Sequence, residues 1–304
     1  MAIWPPFRAP TLAAVLAACQ TPFLGPPDAT PPSEDPMVYD PAEVRRAGRI
    51  AVFVPGAFAS TAIFGPPDDW RAAGVAPVFY RLPGMDGLPA DHALRIEDAA
   101  ARIATLVETT DARDVLLVGY STGGPVALTA ARRLRPGRSL HLALVAPAVE
   151  RAGGIETRLR GFRHMVEAAA RAGSIDPAAF WPAYWQTLLF GPANLGDPAF
   201  AARIAAITEE NAGLMAIPTP DLAQRHTADL QNWTLSPGAR ARPVDARIAI
   251  FAGAADPVFS TAQTLAFAER IGGAAVHLYP GDGHLPVLTR ADLWTDVRAF
   301  ADRG

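Results

Sequence analysis

Val115-Leu116-Leu117-Val118-Gly119-Tyr120-Ser121-Thr122-Gly123-Gly124 decides how the rest of the 304-residue chain is read. Its unbroken apolar run has the character of a strand buried on both faces. The run ends in a Gly-x-Ser-x-Gly turn, and residues 125–131 then have helical composition. In such a sequence of strand, turn and helix the serine occupies the apex of a strained turn. The glycines two residues to either side leave no side chain where strand and helix close together. The turn exposes the Ser121 hydroxyl at the end of the sheet. It also sets the Thr122 N–H beside that hydroxyl at a helix N-terminus, where partial positive charge favours a developing oxyanion. Ser121 is therefore the expected nucleophile and Thr122 an expected oxyanion donor.

Working outward, residues 50–54 and 78–80 read as short strands. Apolar residues spaced by three and four from Ile96 to Val107 predict an amphipathic helix over 91–109. Beyond the turn, 140–145, 248–252 and 276–279 read as strands, with helices over 261–271 and 291–303. Strands alternating with helices imply an α/β fold, a mostly parallel sheet covered on both faces that binds ligands at the carboxyl ends of its strands. The rhythm breaks at about 148–242, where helical, proline-punctuated sequence forms an insertion rich in aromatic residues. Of these, Trp181 and Trp185 are expected to line a substrate pocket, together with Phe58 and Tyr120.

Two further segments fall at strand ends. Gly253-Ala254-Ala255-Asp256-Pro257 follows one strand, and Pro280-Gly281-Asp282-Gly283-His284 follows the last. Ser121, Asp256 and His284 thus run in the order nucleophile, acid, base, which is the order of one fold among those that converged on this triad. On these residues the chain resembles the α/β-hydrolase superfamily over about 49–303, with the insertion where that family carries its helical cap. The resemblance implies that His284 takes the Ser121 proton and Asp256 steadies the imidazole; Asp282 is the alternative acid. It also implies that Ala57, in Pro55-Gly56-Ala57-Phe58, gives the second oxyanion N–H. The family usually has histidine where this chain has Pro55, so the loop's supporting hydrogen bonds must differ. The other five histidines, His277 among them, read as structural or surface residues.

A serine nucleophile points to acyl transfer to water, and hydrolysis of carboxylic esters with apolar acyl groups is the leading expectation. A prolyl-aminopeptidase-like peptidase, a thioesterase and an acyltransferase use the same triad, and a lipoprotein that only binds an apolar ligand is the alternative outside the enzymes. All 27 basic residues are arginine, which removes Schiff-base, Ser-Lys and P-loop chemistry. The net charge of -3 gives no nucleic-acid footprint. With no dinucleotide fingerprint and no Cys/His cluster, neither cofactor nor metal is expected.

Arg8, a short apolar stretch and Leu16-Ala17-Ala18-Cys19 resemble the signal peptide and lipobox of a bacterial lipoprotein. This predicts a signal peptide over 1–18 and lipidation at Cys19, the only cysteine. The expected location is extracytoplasmic on a bacterial membrane, the outer one slightly favoured, with a secreted or periplasmic protein as the alternative. Residues 19–41, rich in proline, are expected to be a linker that cannot pack, so that the folded domain spans 42–304.

Overall fold

The computed structural model describes residues 30–150, 152, 155–235 and 246–303. Cys19 and the whole apolar leader lie outside the described residues, as does Gly304. Seven strands form one sheet in the order β1-β3-β2-β4-β5-β6-β7. They are β1 (Met37–Val38), β2 (Arg49–Val54), β3 (Ala76–Tyr80), β4 (Asp114–Tyr120), β5 (Ser139–Val145), β6 (Arg247–Gly253) and β7 (Ala275–Tyr279). All neighbours are parallel except β1, which pairs antiparallel with β3 through Met37↔Tyr80 and Val38↔Phe79.

That first strand corrects the expected linker over 19–41. Met37 is buried in the core, and the Arg81 N–H donates to Pro36 O at 2.8 Å, so the fold takes in chain ahead of residue 42. A two-residue strand has too few alternations to stand out among prolines.

The helices are α1 (Pro41–Arg46), α2 (Pro67–Ala72), α3 (Ile96–Glu108), α4 (Gly123–Ala131), α5 (Ile155–Ala172), α6 (Pro177–Phe190), α7 (Pro198–Glu210), α8 (Pro220–Asn232), α9 (Thr261–Arg270), α10 (Pro286–Thr289) and α11 (Leu293–Asp302). Alternate residues of each central strand enter opposite cores, as the pleat requires. Ile50, Val52, Val115, Leu117, Leu142 and Ile250 pack with Ile103 of α3, Val126 of α4 and Phe267 of α9. On the other face Phe53, Leu116, Val118, Val145 and Phe251 pack with Trp70 of α2 and with Val297 and Phe300 of α11. This is an α/β-hydrolase fold, with helices on both sides of a mostly parallel sheet.

Helices α5 to α8 form the insertion between β5 and β6. Its α8 reaches back to the core: Asp229 accepts from the Ile96 N–H at 2.7 Å, and the Leu94 N–H donates to Arg225 O at 2.8 Å. These contacts explain why α3 starts at Ile96 and not at the expected residue 91. A carboxylate from another element satisfies its first amide, and residues 91–95 stay outside the helix, with Arg95 extended at its N-cap. Among the described residues no helix is long and apolar enough to cross a membrane.

Candidate active site

Four loops meet at the carboxyl end of the sheet, following β2, β4, β6 and β7. Directly after β4 the backbone of Ser121 enters the left-handed region, with φ 48°. The turn holds because the Ser121 N–H donates to Val145 O at 3.0 Å and its C=O accepts from Ala148 and Gly124 at 2.9 Å each. The motif's glycines are required by space. A Cβ on Gly119 would lie 2.4 Å from Gly123 O, and one on Gly123 would lie 2.1 Å from Val54 O. Strand β4, helix α4 and the end of β2 can only meet this closely without those atoms.

The structure brings the three expected reactive side chains together. Ser121 Oγ lies 2.9 Å from His284 Nε2, and His284 Nδ1 lies 2.8 Å from Asp256 Oδ2. The other oxygen of Asp256 accepts from the N–H groups of Val258 and Phe259 at 2.7 and 3.1 Å, so the carboxylate is fully engaged and its side chain buried. Asp282 is turned away: its nearest charged neighbour is Arg290 at 3.9 Å, and burial raises its pKa. With the carboxylate on Nδ1, the imidazole carries its proton there and presents a bare Nε2 to the serine.

His284 is held by the insertion. The last carbonyls of α6 have no partner within the helix, and Leu188 O accepts from the His284 N–H at 2.7 Å while Leu189 O accepts from the Gly283 N–H at 2.8 Å. Gly283 fits only as glycine, since a Cβ there would lie 2.3 Å from Leu188 O.

Ala57 lies in the loop after β2, next to Gly56, where a Cβ would meet Ser121 Cβ at 2.9 Å. Neither the Ala57 N–H nor the Thr122 N–H donates to a backbone carbonyl among the described residues. Thr122 directly follows the serine and precedes the first turn of α4, whose dipole adds positive potential.

The residues expected to bound a substrate divide. Phe58 and Trp181 meet edge to face at 6.1 Å, and Trp181 continues to Tyr184 at 5.3 Å. Tyr120 and Trp185 instead belong to the hydrophobic core, at 1% and 5% exposure; the Tyr120 ring lies 5.8 Å from His284 and packs beneath the triad. Their aromatic character reflects packing, which composition does not distinguish from ligand lining. Tyr184, not singled out from the sequence, is close enough to Asp256 to feel its charge, and burial together with that carboxylate raises its pKa. Phe259 lies 5.7 Å from the His284 ring and, like Tyr120, is buried in the core. His226, read as structural or surface, bonds the oxyanion loop: its Nδ1 accepts from the Phe58 N–H at 3.0 Å. No spacing in the sequence signals a histidine bonded to an amide so distant along the chain. His277 stacks on Phe251 within the sheet at 4.8 Å. Among the described residues no group of three or more His, Cys, Asp or Glu is placed to hold a metal ion.

Residues 51–297 match the model of the Alpha/beta hydrolase family. No curated protein matches the chain. Among solved structures, a carboxylesterase structure from the thaumarchaeon Nitrososphaera gargenis superimposes with a TM-score of 0.61 at 16% identity, covering 90% of this chain and 96% of that one. The enol-lactonase from Burkholderia xenovorans LB400 gives 0.58 at 17%, covering 87% and 94%. A lipase-esterase related protein from Clostridium acetobutylicum gives 0.58 at 12%, covering 88% and 96%. At these identities the likeness is one of fold.

Proposed function

Since the chain belongs to the alpha/beta hydrolase family, we propose that it is a serine hydrolase that cleaves carboxylic esters of apolar acyl groups through an acyl-enzyme. The hydrogen-bonded line Asp256–His284–Ser121, at 2.8 and 2.9 Å, carries this reading. In the reaction His284 Nε2 takes the Ser121 proton as Oγ attacks the ester carbonyl. The carbonyl oxygen becomes an oxyanion between the N–H groups of Ala57 and Thr122. Collapse of the tetrahedral intermediate breaks the bond to the alcohol, which leaves with the proton held on His284. Water, deprotonated by the same nitrogen, then attacks the acyl-enzyme and frees the acid and Ser121.

Phe58, Trp181 and Tyr184 form a run of aromatic rings that reaches close enough to Asp256 for Tyr184 to feel its charge, and such apolar ring surface favours apolar over anionic acyl groups. Treatment with a fluorophosphonate should add one label, at Ser121, and p-nitrophenyl butyrate should be turned over with higher kcat/KM than the succinyl ester. Failure of both labelling and turnover would leave a ligand-binding protein, and equal kcat/KM for the two esters would remove the apolar preference. The lipid anchor belongs to the same proposal on sequence alone, from Leu16-Ala17-Ala18-Cys19. In a bacterial host the wild type should take up labelled palmitate and sediment with membranes, and equal partition of wild type and Cys19→Ala into the soluble fraction would rule the anchor out.

A further inference from the structure

Phe58 follows Ala57 in the oxyanion loop, and its backbone is left-handed, φ 66°, a region that residues with a Cβ seldom adopt. The loop's own contribution to holding it is one turn bond, from the Ala59 N–H to Gly56 O at 3.1 Å. Asp86, from the loop after β3, holds the far end through Ser60 Oγ and the Thr61 N–H at 2.5 and 2.7 Å, and the support at Phe58 and Ala59 comes from the insertion. Phe58 O accepts from the Ala216 N–H at 2.7 Å, the Ser60 N–H donates to Leu214 O at 2.8 Å, and Ala59 pairs with Met215 as an antiparallel bridge. On its other side the Phe58 N–H donates to Nδ1 of His226 at 3.0 Å, while Nε2 of the same ring contacts Pro83 O at 2.7 Å.

These two bonds define the ring. Nδ1 must be bare to accept an amide proton, and Nε2 must carry hydrogen to donate to a carbonyl, so His226 is the neutral Nε2–H tautomer. The ring is 1% exposed and stacks on the Phe58 ring at 5.4 Å. Burial draws its pKa down to about 4, which keeps it neutral under ordinary conditions.

The Phe58 N–H belongs to the peptide plane that joins Ala57 to Phe58, and the oxyanion donor belongs to the plane just before it. Only the two backbone torsions of Ala57 separate them. We propose that His226 is a positioning residue for the oxyanion hole, fixing the Phe58 amide so that the Ala57 N–H is aimed at Ser121. It does the work that Pro55, without an N–H or a polar side chain, leaves undone inside the loop. The insertion is thereby part of the hole: α8 cannot lift from the core without freeing the donor. This role rests on the serine-hydrolase reading above.

The test compares wild type, His226→Gln and His226→Asn. Glutamine reaches the Nε2 position and keeps a donor for Pro83 O but offers no acceptor at the Nδ1 position; asparagine places its amide oxygen there. The measurements are kcat and KM for p-nitrophenyl butyrate, inhibition by a trifluoromethyl ketone, and hydrogen exchange of the Phe58 amide by NMR. The ketone's adduct with Ser121 puts an oxyanion in the hole. With glutamine, kcat should fall about 10- to 100-fold, somewhat less than deleting a donor outright, inhibitor affinity should fall by a similar factor, and KM should hardly move. Phe58 exchange should quicken in that variant, and asparagine should recover the larger part of each loss. A glutamine variant with wild-type kcat and inhibitor affinity overturns the role. So does a loss carried by KM alone, or an asparagine variant no better than glutamine. The parent reading fails separately: a wild type that neither labels at Ser121 nor turns over any ester removes the hydrolase and this role together, whereas a labelled, active wild type with an indifferent His226→Gln removes only the role. Phe58 exchange in the wild type is readable whether or not the glutamine variant folds; rapid exchange there denies the bond to His226.

Discussion

Ser121 stands in a backbone conformation that costs on the order of 1–3 kcal/mol for a residue with a side chain, and its neighbours hold it there through three backbone hydrogen bonds. Because that scaffold is all main chain, Ser121→Ala should fold with a melting temperature near that of the wild type while turnover falls by about 10³-fold or more. Residual kcat within tenfold of wild type would remove Ser121 from the chemistry. Asp256→Asn makes a different change. The amide oxygen can still accept from Val258 and Phe259, which leaves the NH₂ group facing His284 Nδ1. The imidazole must then expose the wrong nitrogen to the serine, and kcat should drop by about 10⁴-fold with KM preserved. An unaffected rate would shift attention to Asp282. Residues of this kind are legible in sequence, because a Gly-x-Ser-x-Gly turn or an Asp-Pro at a strand end is a local pattern. His226 is not, because its partner is a backbone amide 168 positions away and any sequence supplies one. Tyr120 and Trp185 show the converse: a ring next to a motif, or in a helix over the site, is as readily core as contact surface.

Among the elements, α6 has the largest consequence for catalysis that its sequence does not announce. Its composition predicts a helix within an insertion, but the use made of its C-terminus depends on where β7 ends in space. Leu188 O and Leu189 O accept from Gly283, His284 and Leu285, so the base-bearing loop is a continuation of the insertion's hydrogen bonding. Gly283 has Leu188 O on one side, and its own carbonyl would meet a Cβ on Gly253 at 2.1 Å. Gly283→Ala should therefore push the loop from α6, lowering stability by about 1–3 kcal/mol as small-to-large changes in packed sites do. It should also lower kcat, because His284 Nε2 leaves the 2.9 Å contact with Ser121. Thermal melting and ester turnover check the two effects, and a variant matching the wild type in both would show that the loop has room to spare. Element boundaries failed where tertiary contacts override periodicity: α3 keeps its helical pattern from Ile96 onward and loses the five residues ahead of it to bonds with α8.

For the molecule as a whole, the parallel character of the sheet could be argued from alternating strands and helices, since a parallel pair needs a long crossover connection, usually a helix, whereas the order in which β3 lies outside β2 could not. Nor could the short antiparallel β1, or the way the insertion is fastened. That fastening makes stability sensitive to acid. His226 has a folded-state pKa of about 4 against an ordinary 6.5, and burial lowers that of His141 as well. Both bind protons more readily once unfolded. The unfolded chain then carries the greater number of protons below about pH 6.5, and stability must fall as pH falls, by at most about 1.4 kcal/mol per unit for each histidine. For His226 the window runs from 6.5 down to about 4. The buried carboxylates Asp229 and Asp282 have the opposite sign: burial raises their pKa, so what they contribute is present in acid and lost as pH rises through the raised values. Comparing wild type with His226→Asn cancels these common contributions. Urea unfolding at about pH 7 and about pH 5 should show the wild type losing up to about 2 kcal/mol more than the variant between the two conditions. Identical losses would mean that His226 takes up its proton as readily in the folded chain as in the unfolded one, which is incompatible with a buried ring whose Nδ1 is committed to accepting the Phe58 amide.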